Sequence, residues 1–261
     1  MAYLKFISMS FQRSISYRVE YFLSVLNAFL YIFIFTSVWR TLVPETAEQG
    51  GFSKSQMVAY AVLSTLIKAS FARNESLLAS RVRSGEIAAD LLKPFSFPLM
   101  YLCDTLGASL YQLMSRALPL FIFCYFIFDI RIPVDTGLVL RFLPAYALSF
   151  VLFFLVSFLI SSMAFYFVDI FPFWIFYAAL ITLLSGAIIP IDFFPPTLQQ
   201  VLLFTPFPYL FYFPTLLLLG KPLAMGYDMF LLRYVILIAV MGTLVALSYR
   251  GGIRRLTIAG G

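Results

Sequence analysis

The chain has 261 residues, 62% apolar and 19% aromatic, with only 11% charged. That composition excludes an ordinary soluble domain and belongs to multi-span helical membrane proteins. The net charge of +6 is no argument for nucleic acid, because in a membrane protein basic residues mark cytoplasmic loops and their positions matter more than their sum. Histidine is absent, which removes histidine-ligated zinc, histidine proton relays and Ser-His-Asp hydrolysis together. Cys103 and Cys124 lack C-x-x-C spacing and read as free thiols in an apolar region.

Residues 1–20 are amphipathic. Leu4, Ile7, Phe11 and Ile15 recur at helical spacing, with Lys5, Gln12, Ser16 and Glu20 on another face and Arg13 and Arg18 adding charge. The pattern predicts a helix lying in the membrane interface, a frayed terminus being the alternative. Residues 21–39 are too long for the apolar stretch of a cleaved signal peptide, and Trp39-Arg40-Thr41 is no small-residue cleavage site. They read as a retained span.

Further apolar runs cover 56–72, 107–128, 142–167, 173–189 and 230–249. With about 20 residues needed to cross the hydrocarbon core, the expectation is six transmembrane helices. Lys68 interrupts the second run and is expected to snorkel toward an end. Orientation favours keeping that run. With the N-terminus inside, the N-terminal segment, the region around 68–94 and the C-terminal tail all face the cytoplasm. Together they hold eleven of the eighteen Lys and Arg residues. If 97–128 is one helix it is about 48 Å long at about 1.5 Å per residue, so its first part, with Asp104, is expected to project from the membrane.

Seven of the fourteen prolines fall between Pro190 and Pro222, in a stretch that is apolar but too broken for one regular span. Two short helices, 198–204 and 209–219, forming a re-entrant hairpin on the outer side fit better, with irregular backbone buried in protein. A proline-rich loop without special role is the alternative.

Residues 68–94 form a polar island with five basic and three acidic residues. Asn74 reads as an N-cap, Gly85 as a helix stop, and 86–92 as a second short helix. Ile87 and Leu91, four apart, share one face, flanked by Arg81, Arg83, Glu86 and Asp90. A small apolar stripe with a charged rim suits a reversible protein interface; a solvated cytoplasmic loop is the plainer reading.

The run Val82-Arg83-Ser84-Gly85-Glu86-Ile87-Ala88-Ala89-Asp90-Leu91-Leu92-Lys93-Pro94 resembles the basic–Gly–acidic…Leu-Leu-basic-Pro signature of type 2 ATP-binding cassette (ABC) export permeases. The match is to the branch of about this length that has no fused ATPase. Phe11-Gln12-Arg13…Tyr17-Arg18 and the order of parts resemble it too.

The resemblance implies an all-α integral membrane protein forming one permease domain over 1–261. Its parts would be an elbow helix at 1–20, a cytoplasmic coupling helix in 73–94 between spans two and three, and an extracellular re-entrant hairpin at 190–222 before span six. It implies a multi-pass protein of the bacterial plasma membrane with both termini cytoplasmic. A second permease subunit, identical or not, and a dimer of cytoplasmic ABC ATPases would be its partners. Arg81, Arg83, Gly85, Glu86, Ile87, Asp90, Leu91 and Lys93 would then form the ATPase-coupling interface. ATP and magnesium would be bound by the partner ATPase, since this chain contains no G-x-x-x-x-G-K-[ST] phosphate loop and is expected to hold no cofactor or metal of its own. The implied function is export of a drug-like, lipid-like, peptide or glycan substrate.

Arg116, within the third run, is costly in a membrane and is expected either to line a pathway that meets an anionic substrate or to make a packing ion pair or hydrogen bond. Asp169 is expected in a tight turn, Asp192 and Asp228 in solvent, and Ser185-Gly186 at a close helix approach. A secondary transporter or channel is the alternative function. Such proteins tend to show several buried ionisable groups and helices broken at the midplane. No constellation of nucleophile, base or metal ligands points to an enzyme.

Overall fold

Lipid offers a backbone no hydrogen bonds, so an apolar chain of this kind must satisfy its amides within each segment, and helices result. The computed structural model describes every residue except 1, 16–17, 44–49, 74, 129, 131–134, 224 and 257–261. Among the described residues it is helical with no strands. The Asn74 cap, Ser16, Tyr17, Glu45 and Glu48 lie outside them.

In chain order the helices are α1 (Ala2–Ile15), α2 (Arg18–Leu42), α3 (Lys54–Ser70), α4 (Glu75–Ser84), α5 (Glu86–Leu91), α6 (Phe97–Gln112), α7 (Leu118–Phe128), α8 (Thr136–Ser161), α9 (Phe171–Leu184), α10 (Pro196–Leu202), α11 (Tyr212–Leu218) and α12 (Tyr227–Ile253). A π turn at Leu113–Ala117 joins α6 to α7 in one helix of 32 residues.

Among the described residues, four helices are long and apolar enough to cross a membrane: Tyr21–Leu42, Phe97–Phe128, Thr136–Phe165 and Tyr227–Ile253. The pair Pro196–Leu202 and Phe207–Leu218, bent by 73°, makes a fifth if counted as one broken span. Of the six expected runs, the second folds two residues earlier in the chain and the fifth folds shorter. In place of 56–72, α3 has 17 residues, started by a Ser53–Gln56 capping box and ended where Phe71 turns extended. In place of 173–189, α9 has 14 residues and stops at Ser185, because Gly186 takes φ 73 beneath Tyr212.

Side-chain contacts show that the helices alternate in direction. At one end α4, α5, the start of α6, the end of α8 and the end of α12 share an apolar cluster built on Leu78, Phe97, Tyr101, Phe158, Phe165 and Val245. At the other end Arg40 lies over Phe128, Phe52 stacks on Phe193, and Tyr227 Oη donates to the Arg141 carbonyl at 2.9 Å. The first part of α6 runs beside α1. Ser10 Oγ donates to the Asp104 carbonyl at 2.7 Å, and Arg13 pairs with the Asp104 carboxylate at 2.8 Å. The packed face of α1 thus combines Ser10 with Tyr3, Phe6 and Phe11, whose rings meet Phe95 and Tyr111, while Leu4, Lys5, Gln12 and Ile15 stay exposed.

The core surrounds α3, whose residues from Met57 to Ser70 are all buried except Lys68. The proline-rich segment packs against it. Leu210 and Phe211 are fully buried, and α11 lies on α3 and α8. From Pro208 to Leu217 the segment is part of the buried core. Its carbonyls are met by hydroxyls: Tyr60 Oη donates to Gly186, Ser64 Oγ to Ala187 at 3.0 Å, and Ser149 Oγ and Tyr234 Oη to Tyr209 at 2.9 and 2.6 Å.

A Cβ at Gly186 would stand 2.6 Å from Tyr212 Cβ, at a φ that disfavours L side chains. Gly186→Ala is therefore expected to cost about 2–3 kcal/mol. Gly242→Ala, with nothing within 4 Å, is the control and should be neutral or slightly stabilising. Thermal unfolding followed by a thiol-reactive dye at buried Cys124 reads both.

Candidate functional site

The polar island folds as a helical hairpin. Gly85, at φ 77, lets α4 reverse into α5, and Glu86 begins the new helix. Ile87 and Leu91 do share a face, but that face turns inward. Ile87 is 2% exposed among Leu78, Phe97, Tyr101 and Phe158, with Leu91 packed at the edge of the same cluster. The expected outward stripe is corrected on this point: the bundle's own end supplies apolar partners that a spacing argument cannot see. Asp90 is also buried, at 4%, and its carboxylate accepts from Arg81 Nη1 and from Lys93 Nζ at 2.7 Å. Burial opposes its ionisation, but the hydrogen bonds from Lys93 and Arg81 outweigh burial and hold the carboxyl below its ordinary value. Arg81, Asp90 and Lys93 therefore form an internal clamp that fastens α5 to α4.

The outward surface is made by other residues. Arg83, Gly85, Glu86 and Lys93 are exposed, together with Leu92 at 87%. Arg83 reaches the turn between α8 and α9, donating from Nε to the Val168 carbonyl at 3.0 Å and from Nη2 to Asp169 Oδ1 at 2.8 Å. Asp169 Oδ1 also accepts from the Phe171 amide at 3.1 Å, which fixes the turn. So open an ion pair is worth less than about 1 kcal/mol, and its effect is to hold two loops in register. Val168 beside it is 91% exposed. Leu92 and Val168 were not singled out in the sequence. The signal for Leu92 was available, since a residue next to an inward-facing Leu91 lies about 100° around the helix.

Arg116 sits in the π turn, Leu113–Ala117. Its Nη2 donates to the Ala69 carbonyl at 2.9 Å, near the end of α3, whereas Nε is buried without a partner among the described residues. It is thus both a helix–helix hydrogen bond and a cavity residue. The cavity, of about 430 Å³, is lined by Asn27 and Tyr31 of α2, Lys68 of α3, Arg73, Gln112 and Arg116. Lys68 does not snorkel straight out: its Nζ lies 5.5 Å from the Tyr31 ring centre. Among the described residues no group of His, Cys, Asp and Glu is placed to hold a metal.

Asp90→Asn leaves Arg81 and Lys93 facing a neutral amide. The expected cost is about 1–3 kcal/mol, read as about five- to 150-fold faster amide exchange within α4 and α5. Because the folded carboxyl is held below its ordinary value, its contribution is fully present above the unfolded value of about 3.9 and is lost as pH falls through the folded one. Exchange protection of the hairpin should be flat from about pH 5 to 8 on this account and fall only in stronger acid.

A search of curated proteins found no significant match. A family model described as an ABC-2 family transporter protein matches residues 23–260, nearly the whole chain, so the protein belongs to the ABC-2 transporter family.

Proposed function

We propose that the chain is the membrane-spanning permease subunit of an ABC exporter, paired with a second permease and driven by cytoplasmic ATPases that dock on the α4–α5 hairpin. Family membership supports a membrane transporter subunit, and the missing phosphate loop leaves ATP hydrolysis to a partner. In this reading α3 and α9 complete six spans, α10 and α11 are the re-entrant hairpin, and both termini lie with the hairpin on the cytoplasmic side. The concentration of Lys and Arg at that end supports the orientation. A helix of 17 residues is at the short limit for crossing, and α3 is enclosed by its neighbours rather than facing lipid.

The observation that carries the docking assignment is the outward face of the hairpin. The two most exposed large apolar side chains among the described residues, Val168 at 91% and Leu92 at 87%, stand at this one end, Leu92 just after α5 and Val168 in the α8–α9 turn that Arg83 reaches. Together with the exposed Arg83, Glu86 and Lys93 of the hairpin, these side chains suit an interface with an apolar centre and a charged rim. Behind them the chain is stiff. The Asp90 clamp locks α5 to α4, and Ile87 wedges against α6 and α8, so a displacement at Leu92 passes into Phe97, Tyr101 and Phe158. ATP-driven approach of two ATPases would in this way move both hairpins and open a path between the permeases, and hydrolysis would return them. Amphipathic cargo, whether drug-like, lipid-like, peptide or glycan, suits the aromatic-rich helices.

The test is co-purification of the ATPase from gently solubilised membranes. Leu92→Asp combined with Glu86→Lys should lower ATPase retention at least tenfold and abolish export, with insertion and melting temperature nearly unchanged. Ile87→Asp should instead unfold the hairpin. Full ATPase retention by the Leu92 and Glu86 double variant would sink the docking assignment.

A further inference from the structure

Lys68, Arg73 and Arg116 converge on one cavity, and no carboxylate is among the described residues that line it. Arg73 stands close enough for its charge to act on both of the others. Three like charges in a half-buried cleft repel one another and have lost part of their hydration, so the arrangement stores an unmet demand for negative charge. The hydrogen-bonding groups point the same way. Arg116 Nε and Tyr31 Oη are both buried without a partner among the described residues, while Arg116 is anchored through Nη2 on Ala69. A guanidinium held by one arm and open at another is prepared for an oxyanion. Asn27, Gln112 and Ser24 add neutral polar groups around it.

We propose that this cleft binds a phosphate-type oxyanion, presented by the headgroup of a leaflet lipid or taken from solution. Arg116 is the primary ligand. Lys68, with its ammonium by the Tyr31 ring, and Arg73 close over the other oxygens. The position suits a headgroup. The cleft opens where α1 meets the bundle, since Arg116, Gln112 and Ser24 also border an adjoining cavity lined by Ser14 of α1. Leu23, Leu26 and Leu30 form an exposed stripe on α2 beside the lining residues Ser24, Asn27 and Tyr31, and an acyl chain can lie along it. This site does not depend on where an ATPase docks.

The experiment titrates the purified full-length protein in detergent with dioctanoyl phosphatidate, dioctanoylglycerol and inorganic phosphate, at fixed ionic strength, by thermophoresis. Phosphatidate should bind at least tenfold more tightly than dioctanoylglycerol, which has the same tails without the phosphate. Arg116→Gln should weaken phosphatidate at least tenfold and Arg116→Lys, which keeps charge but lacks Nε, by a smaller factor. Arg250→Gln removes one charge at the same end of the bundle and should leave binding unchanged. Should Arg116→Gln fail to fold, Lys68→Gln with Arg73→Gln carries the same expectation. Competition by inorganic phosphate at comparable affinity assigns the oxyanion to solution, and its failure to compete assigns it to the leaflet. Equal binding of dioctanoylglycerol and phosphatidate, or equal losses in the Arg116 and Arg250 variants, overturns the site.

Discussion

An apolar bundle tolerates irregular backbone only where another part of the protein supplies the missing hydrogen bonds, and the segment from Ser185 to Leu219 depends on that supply. Its carbonyls at Gly186, Ala187 and Tyr209 accept from Tyr60, Ser64, Ser149 and Tyr234, which belong to α3, α8 and α12. Main-chain pairing adds the Tyr212 amide on the Ser185 carbonyl at 3.1 Å. Such donors must approach to hydrogen-bonding distance, so α3 has to run through the middle of the bundle with Tyr60 and Ser64 one turn apart on the same side. The near-complete burial of α3, the early end of α9 and the bent path of α10 and α11 are consequences of one requirement.

Much of this was legible in the residues. Long apolar runs located the helices, and the clustered prolines marked the broken segment, because both signals are local. The ends of α3 and α9 were not legible. They are set by Phe71 turning extended and by Gly186 meeting Tyr212, and the second of these is a contact across the fold. Direction was harder still. Spacing puts Ile87 and Leu91 on a common face, but which way that face points depends on whether the bundle end offers apolar partners. Leu78, Phe97 and Phe158 do so, and the stripe becomes core while Leu92 becomes surface.

Intramembrane charge divides in the same way. Arg116 is conspicuous as a single residue in an apolar run. Its meaning comes from Lys68 and Arg73, which are distant in sequence and brought near by α3 ending alongside the π turn. The π turn has no simple sequence signature. It inserts a wider ring into a helix of 32 residues at the position of the arginine, in keeping with the frequent placement of such turns at functional sites.

The cleft and the hairpin are mechanically adjacent, and this constrains how one affects the other. The end of α3 is fixed to α6 and the π turn twice, by Arg116 on the Ala69 carbonyl and by the Ala72 amide on Ser109 Oγ at 2.9 Å. Arg73 follows directly and α4 begins at Glu75, so Arg73 lies at the boundary between the pinned segment and the hairpin. On the proposed docking, a hairpin stiffened by the Asp90 clamp would move as a body, and Arg73 would move with its root while Arg116 stays with the π turn. The separation of these two cations is then a function of hairpin position. An anion bridging them favours the spacing that fits it. Since linkage is reciprocal, whatever pulls on the hairpin must change the affinity of the cleft by the same free energy with which the anion biases the hairpin.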